Sequence, residues 1–88
     1  MKTAKQLERY CKGAANHRRI AILSVVEKES GITLEEIAER LSANLKTISQ
    51  HTRSLVQAGL LSKKYQGRAV THQLSPYGRA FVRFLKSF

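Results

Sequence analysis

Apolar positions follow helical spacing in the first two thirds of this chain and at its end, and strand spacing in between. A helical face repeats every three to four residues, whereas a strand alternates every second residue. Leu7, Tyr10, Cys11 and Ala14 lie at i, i+3, i+4 and i+7, which predicts a single apolar stripe on a first helix. The whole pattern predicts helices over residues 3–13, 17–29, 34–41, 45–58 and 76–87.

Local signals at the helix ends support these boundaries. Thr33 and Glu36 have the spacing of a capping box, in which each side chain bonds to the backbone of the other residue. Asn16 and Asn44 precede two other helices as N-cap candidates, and Ser75-Pro76 opens the last helix. These signals predict separate helices with short connections, including a turn of three residues between the third and the fourth.

The segment between the fourth and fifth helices alternates apolar and polar residues. Val70, His72 and Leu74 fall on one face, as in a half-buried strand. The predicted strands span residues 61–65 and 69–75 and are joined into a hairpin through residues 66–68. The predicted fold class is therefore mainly α-helical with a small β-hairpin, an α+β arrangement in one domain of residues 1–88.

The apolar faces also predict the core. The second helix presents a broad apolar surface, which predicts burial on more than one side. Its members are Ile20, Ile22, Leu23, Val25 and Val26. On the fourth helix the residues predicted to point inward are Leu45, Ile48, Leu55 and Val56. His51 and His72 lie beside apolar positions, so we interpret both as packed, hydrogen-bonded histidines rather than catalysts or ligands.

Charge is distributed very unevenly along the chain. Residues 1–40 contain eight basic and six acidic side chains and carry +2, whereas residues 41–88 contain eight basic and no acidic side chains and carry +8. Such a field attracts phosphate and repels other cations. The second half of the chain is therefore predicted to form a surface that binds a polyanion.

Length and composition exclude several classes of protein. With 88 residues, the chain is long enough for one core but too short for an added sensing or catalytic domain. It has no apolar run of about 18–20 residues and no signal-peptide pattern at its N-terminus, so we expect no membrane association and a cytoplasmic, nucleoid-associated location. The lone Cys11 cannot form an intramolecular disulfide. No catalytic set, phosphate-binding glycine loop or metal-ligand cluster is present, so we expect no enzyme activity and no cofactor or metal.

Two helices joined by a short turn and followed by a hairpin form the layout of a winged helix-turn-helix, whose second helix normally enters the major groove of DNA. Residues 37–61 resemble the DNA-binding segment of ArsR-like winged-helix repressors, most specifically at 48–51, Leu55 and 58–60. Residues 74–79 also look like the strand-to-helix junction of MarR-like proteins. The resemblance implies a winged-helix fold and a homodimer in which the terminal helices pair across a two-fold axis.

The chain departs from this family at two places. Thr52 stands where the family usually buries a leucine, so we expect looser packing there or a hydroxyl that bonds within the helix. Metal-sensing members carry cysteines on the helix that corresponds to residues 34–41, and this helix has none. Metal sensing at that helix is therefore not expected.

The polar face of the fourth helix supplies the candidate DNA-reading residues. Gln50 can pair with adenine and Arg53 with guanine, whereas Thr47 and Ser49 are of a type that more often holds phosphate. The alternative is an ordinary solvated helix face, but this face bears no acid and follows the right turn. The candidates are Lys46, Thr47, Ser49, Gln50, Arg53 and Gln57.

Further basic residues are candidates for contacts with the DNA backbone. Lys63, Lys64 and Arg68 surround the hairpin and could reach phosphate or the minor groove. They could equally form a charged edge strand that resists aggregation. Arg18 and Arg19 begin the second helix, where they could touch flanking phosphates or remain solvated.

The apolar stripes of the two terminal helices, residues 3–13 and 76–87, are candidates for the dimer interface. They could instead cover the monomer's own core, and a membrane-surface role for the basic aromatic C-terminus is weaker. Cys11 is expected to be a buried small hydrophobic residue rather than a redox switch. The interface candidates are Leu7, Tyr10, Cys11, Tyr77, Phe81, Phe84, Leu85 and Phe88.

Taken together, the residues predict a sequence-specific regulator of transcription that binds double-stranded DNA, most simply a dimeric repressor. Two alternatives stay open: a non-specific nucleic-acid binder, chromatin-like or directed at RNA, and a winged-helix adaptor for other proteins. The sequence identifies no small-molecule ligand.

Overall fold

Five helices surround a small antiparallel sheet in the computed structural model, which describes residues 1–88. The helices are α1 (Ala4–Ala14), α2 (His17–Lys28), α3 (Leu34–Arg40), α4 (Leu45–Gln57) and α5 (Pro76–Leu85). The strands are β1 (Ile32–Thr33), β2 (Leu61–Gln66) and β3 (Ala69–Leu74). The predicted class, mainly α-helical with a small β wing, is confirmed.

The sheet has one strand that the sequence pattern did not predict. Its order is β1-β3-β2, and Ile32 pairs with His72 while Lys63 pairs with the same residue from the other side. β1 is only two residues long, too short to show alternation. The β2–β3 turn is also tighter than predicted, because Gln66 pairs with Ala69 and the turn has two residues rather than three.

The core lies between α2, α3, α4 and the sheet. The inner face of α4 is fully buried at Ile48 and Leu55. The elements that pack around this helix are α1, α2, α3 and β2. Full burial of one such aliphatic side chain contributes about 1.5–3 kcal/mol. The largest fully buried apolar side chains are Ile22, Leu23, Val26, Ile37, Ile48, Leu55 and Leu60.

The predicted helix caps are confirmed in atomic detail. The Glu36 amide donates to Thr33 Oγ1 at 3.2 Å, and the Thr33 amide donates to Glu36 Oε1 at 2.9 Å. Asn16, Asn44 and Ser75 cap the helices that follow them. The α3–α4 turn has four residues rather than three, because α3 ends at Arg40.

Two glycines let α1 and α5 approach the junction between α4 and β2. A Cβ at Gly13 would collide with the Ala58 side chain, and a Cβ at Gly78 would collide with the Leu60 carbonyl. Ser75 fixes the same junction, since its hydroxyl donates to the Gly59 carbonyl at 2.6 Å. The terminal helices are therefore held against the C-terminal end of α4.

Three apolar residues predicted to be buried are exposed. Leu45 is 47% exposed in the first turn of α4, where no other element covers it, and Ile20 is 40% exposed on the outer side of α2. Cys11 is also exposed, so the prediction of a buried thiol is wrong for the monomer. α1 touches the core through Gly13, Ala14 and the half-buried Tyr10, whereas Leu7 and Cys11 of its apolar stripe are exposed.

Thr52 is buried on the inner face of α4. A hydrogen bond from its hydroxyl within the helix was one of the two expectations, and the structure does not contain that bond. The side chain is 2% exposed, and Oγ1 has no hydrogen-bond partner. A buried polar group without a partner loses its hydration and gains nothing in return.

The two histidines predicted to be packed, His51 and His72, are both hydrogen-bonded. His72 is buried in β3, and its Nδ1 donates to the Ile32 carbonyl at 3.2 Å. His51 is half-buried on the flank of α4 rather than in the core, and its Nδ1 accepts from Arg19 Nε at 3.1 Å. Burial lowers the pKa of both imidazoles, and the nearby cations, Arg19 for His51 and Lys63 for His72, lower it further.

We expect Thr52→Val to stabilise the protein, because the methyl group removes the unpaired hydroxyl and keeps the shape of the side chain. The expected gain in the free energy of unfolding is about 1 kcal/mol, measured by urea denaturation. Thr47→Val is the matched control on the same helix, because that side chain is only half-buried. A loss of stability in Thr52→Val would mean that the hydroxyl has a partner in solution.

Stability should fall as the solution becomes acidic. In the unfolded chain both histidines titrate near the ordinary pKa of about 6.5, whereas their folded pKa values are lower, so the unfolded state binds more protons below that pH. The stability that these histidines contribute is therefore fully present above their ordinary pKa of about 6.5 and is lost as the pH falls below it. Urea denaturation at each pH measures how steeply the free energy of unfolding changes with pH. His51→Asn should flatten this dependence, and a slope equal to that of the wild type would contradict this assignment.

Candidate nucleic-acid interface

α4 is positioned so that one face packs and the opposite face meets solvent. Its start is fixed by Asn44, whose side chain accepts from the amides of Lys46 at 2.8 Å and Thr47 at 3.3 Å. Its inner face is anchored by Ile48 and Leu55. Because the helix cannot rotate without exposing these residues, its polar side chains point away from the body of the protein.

The outer face of α4 carries the residues predicted to read DNA. Lys46, Gln50, Arg53 and Gln57 are exposed and recur at helical spacing, and none of their side chains is engaged by another residue of the protein as hydrogen-bond donor or ion-pair partner. Thr47 and Ser49 are half-buried at the edge of the same face. The donors and acceptors on this face are therefore available to base edges and phosphates.

The wing, which is the hairpin formed by β2 and β3, places further cations beside α4. Lys63 pairs with the buried His72 across the sheet, so it lies on the face of the wing that packs against the body. Lys64 pairs with Thr71 and lies on the opposite face. Lys63 and Arg68 line a cleft between the wing and α4, and Arg53 lines it from the helix side.

Of the two arginines that begin α2, only Arg18 projects into solvent. Arg19 is half-buried; its Nε donates to His51 Nδ1 at 3.1 Å and its Nη1 to the Gly13 carbonyl at 3.1 Å. Arg19 thus ties α4 to α2 and to the end of α1. Sequence reasoning missed this contact because it placed His51 in the core and Arg19 in solvent.

The acidic side chains form no ion pair with α4 or the wing, although Glu35 lines the cleft between them. Glu29 forms a two-bond pair with Arg40, at 2.9 and 3.0 Å, and Glu27 pairs with Lys86 at 2.7 Å. The remaining ion pairs are Lys12–Glu8 and Arg40–Glu39. None of the four pairs contains a residue of α4 or of the wing. No cation of this surface is therefore held in an ion pair within the protein.

A second surface feature, the apolar groove, lies between α1 and α5. Its volume is about 440 Å³. Six of the residues predicted for the dimer interface line it, namely Leu7, Tyr10, Cys11, Tyr77, Phe81 and Phe84. Phe88 is 91% exposed and stacks edge-on against Phe84, with ring centres 5.2 Å apart. Leu85 lies elsewhere, beside Ile20 on the α2 side of the helix.

None of the helices is both long and apolar enough to cross a bilayer. Comparison with curated protein sequences finds no match.

Several solved structures share this arrangement of helices and strands. HlyU from Vibrio cholerae N16961 superposes with a TM-score of 0.85 at 26% identity, covering 96% of this chain and 91% of that one. The homodimeric winged helix-turn-helix DNA-binding domain of Mb0332 from Mycobacterium bovis, described as a possible ArsR-family regulator, gives 0.82 at 26% identity and covers 94% and 76%. A possible transcriptional regulator for arsenical resistance gives 0.73 at 29% identity and covers 89% and 80%.

A family model described as winged helix-turn-helix DNA-binding matches residues 16–62. This segment runs from the cap of α2 to the start of β2 and contains both helices of the helix-turn-helix. Because the match spans more than half of the sequence, the chain belongs to the winged helix-turn-helix DNA-binding family.

Proposed function

We propose that this protein is a homodimeric regulator of transcription that recognises a specific sequence in double-stranded DNA and represses by occupying its operator. The observation that carries the proposal is the outer face of α4, an unpaired polar and cationic surface continuous with a basic wing. The same role is supported by the description of Mb0332 as a possible ArsR-family transcriptional regulator and of another similar structure as a possible transcriptional regulator for arsenical resistance. The protein would act at the nucleoid by binding alone, without catalysis.

In this proposal α4 lies in the major groove. Gln50 and Arg53 read base edges, because an amide matches adenine and a guanidinium matches guanine. Lys46, Thr47, Ser49 and Gln57 flank them and hold phosphates. The wing residues Lys63, Lys64 and Arg68 contact the backbone beside the groove, and Arg18 reaches a flanking phosphate.

Residues 1–88 would act as a single domain that dimerises through α1 and α5. The apolar groove leaves Tyr77 and Phe84 more than half exposed, at 52% and 56%, which is unusual for a monomer's surface when the residues are contiguous. A second copy bound across a two-fold axis would cover both grooves at once. The two α4 helices would then meet successive major grooves about 34 Å apart.

Selection from random-sequence duplex DNA tests the function directly. At near-physiological salt we expect enrichment of an inverted repeat whose half-sites lie about one helical turn apart, because each α4 reads one half-site. Binding that fades with salt and enriches no sequence would replace this proposal with non-specific binding. Absence of DNA binding at low salt would favour an adaptor for other proteins.

Variants of α4 extend that experiment. Gln50→Ala and Arg53→Ala should each cost about 1–3 kcal/mol on the selected site and relax the preference at one base position. Arg83→Ala, an exposed arginine of α5 without an ion pair, is the matched control for lost charge. An equal loss in Arg53→Ala and Arg83→Ala would argue against base reading by Arg53.

Phe84→Glu should convert the dimer into a monomer, because two buried carboxylates would face each other across the interface. Light scattering measures the change: we expect twice the chain mass of 9.9 kDa for the wild type and the single mass for the variant. Tyr65→Glu, an exposed aromatic of the wing, is the matched control and should stay dimeric. An unchanged mass in Phe84→Glu would contradict this interface.

A further inference from the structure

One apolar side chain lies among the polar residues on the outer face of α4. Leu45 occupies the first position of the helix, directly after the Asn44 cap, and is 47% exposed. The other exposed residues of this helix are all polar or basic, namely Lys46, Gln50, Arg53 and Gln57. A single exposed leucine is ordinary on a protein surface. Its position among the residues proposed to bind DNA is therefore what requires an explanation.

Leu45 shares a groove with a second leucine. This α3–α4 groove lies between the start of α3 and the first turns of α4, and its volume is about 740 Å³. Its two apolar residues are Leu45 and the half-buried Leu34. The other residues that line it are Asn44, Lys46, Ser49, Gln50 and Arg53. The α3–α4 groove thus has an apolar patch surrounded by groups that form hydrogen bonds or carry positive charge.

This composition matches the edge of an A·T pair in the major groove of DNA. Base edges there present hydrogen-bond donors and acceptors together with one kind of apolar group, the C5 methyl of thymine. No acidic residue lines the α3–α4 groove, and neither Lys46 nor Arg53 forms an ion pair. The charge of the groove therefore favours a polyanion, and the apolar group of DNA that fits against Leu45 is a thymine methyl.

Leu45 also lies at the end of α4 that is suited to contact bases. In helix-turn-helix complexes the N-terminal residues of the recognition helix contact the base edges. The first turn of α4 is held by Asn44, whose side chain accepts from the amides of Lys46 at 2.8 Å and Thr47 at 3.3 Å. The backbone that carries Leu45 is therefore ordered before DNA binds.

We propose that Leu45 is a specificity-determining residue that recognises the methyl group of one thymine in each half-site. Contact between the two groups removes apolar surface of both from water, which favours thymine over a base that lacks the methyl. Leu34 extends the apolar patch on the α3 side. The inference rests on the proposed function, because it assigns an additional base contact to the same DNA-binding face.

Uracil tests this contact, because it lacks only the C5 methyl and keeps the pairing and hydrogen-bonding groups of thymine. In the DNA site recovered by selection, each thymine position is replaced by uracil in both half-sites, and affinity is measured by fluorescence anisotropy. For the wild type we expect one position at which the replacement weakens binding about tenfold, since each methyl contact contributes about fourfold. Leu45→Ala should bind the thymine and uracil sites with equal affinity.

Two variants serve as controls. Leu45→Met keeps a large apolar side chain and should retain the preference for thymine over uracil. Ile20→Ala truncates an aliphatic side chain that is 40% exposed on α2, outside the α3–α4 groove, and should leave both affinities unchanged. The melting temperature of Leu45→Ala should match that of the wild type, because the truncated side chain is exposed.

Salt dependence separates this contact from a charge effect. A contact with a methyl group releases no counterion, so the slope of log affinity against log salt should be the same in Leu45→Ala as in the wild type. Lys46→Ala, the neighbouring residue on the same turn, should make that slope smaller because it removes a phosphate contact. A smaller slope in Leu45→Ala would contradict an apolar contact.

The uracil experiment also separates this inference from the proposed function. An equal loss on uracil in the wild type and in Leu45→Ala would overturn the inference, because another side chain would then contact the methyl. A selected site in which no position is sensitive to uracil would overturn it as well, while the proposed function would stand. Recovery of no DNA site would overturn the proposed function and this inference with it.

Discussion

Burial of the inner face of α4 is the constraint on which the rest of the structure depends. Ile48 and Leu55 have no exposed surface, and α1, α2, α3 and β2 all pack around this helix. Anchoring one face of a helix fixes the rotation of the other, so the direction of every outer side chain follows from packing rather than from charge. The direction of the surface that is proposed to contact DNA is thus a consequence of the core.

Acidic and basic side chains are distributed over different elements of the fold. The acids are on α1, on α3 and at the C-terminal end of α2, where most are exposed or paired with cations of α1, of α3 and of the residue that caps α5. Since α4 and the wing contain only basic charges, and none of these charges forms an ion pair, their field extends into solvent. A polyanion is the partner that such a surface attracts most strongly, which agrees with the family to which the chain belongs.

The apolar groove, the outer face of α4 and the cleft beside the wing are connected to one another by a few residue contacts. The apolar groove between α1 and α5 is connected to α4 through Gly13 and Ala58, where the backbones are in close contact. Arg19 adds a second link, from the end of α1 to His51 on α4. The cleft beside the wing shares Arg53 with the outer face of α4. The proposed dimer interface and the proposed DNA-binding face are therefore both in contact with α4.

The sequence by itself determined the helices, the hairpin and the basic surface, because their signals are local. Capping residues such as Thr33 and Asn44 act within one turn, and the charge of a segment does not depend on its neighbours. Only the tertiary structure decided the pairing of β1 with β3, the exposure of Cys11 and Leu45, and the contact between Arg19 and His51. Each of these depends on which distant element covers a residue, and periodicity along one helix identifies an apolar stripe without saying what packs on it. The unpaired hydroxyl of Thr52, and the cleft beside it, belong to the same class, since both arise where three separate segments meet.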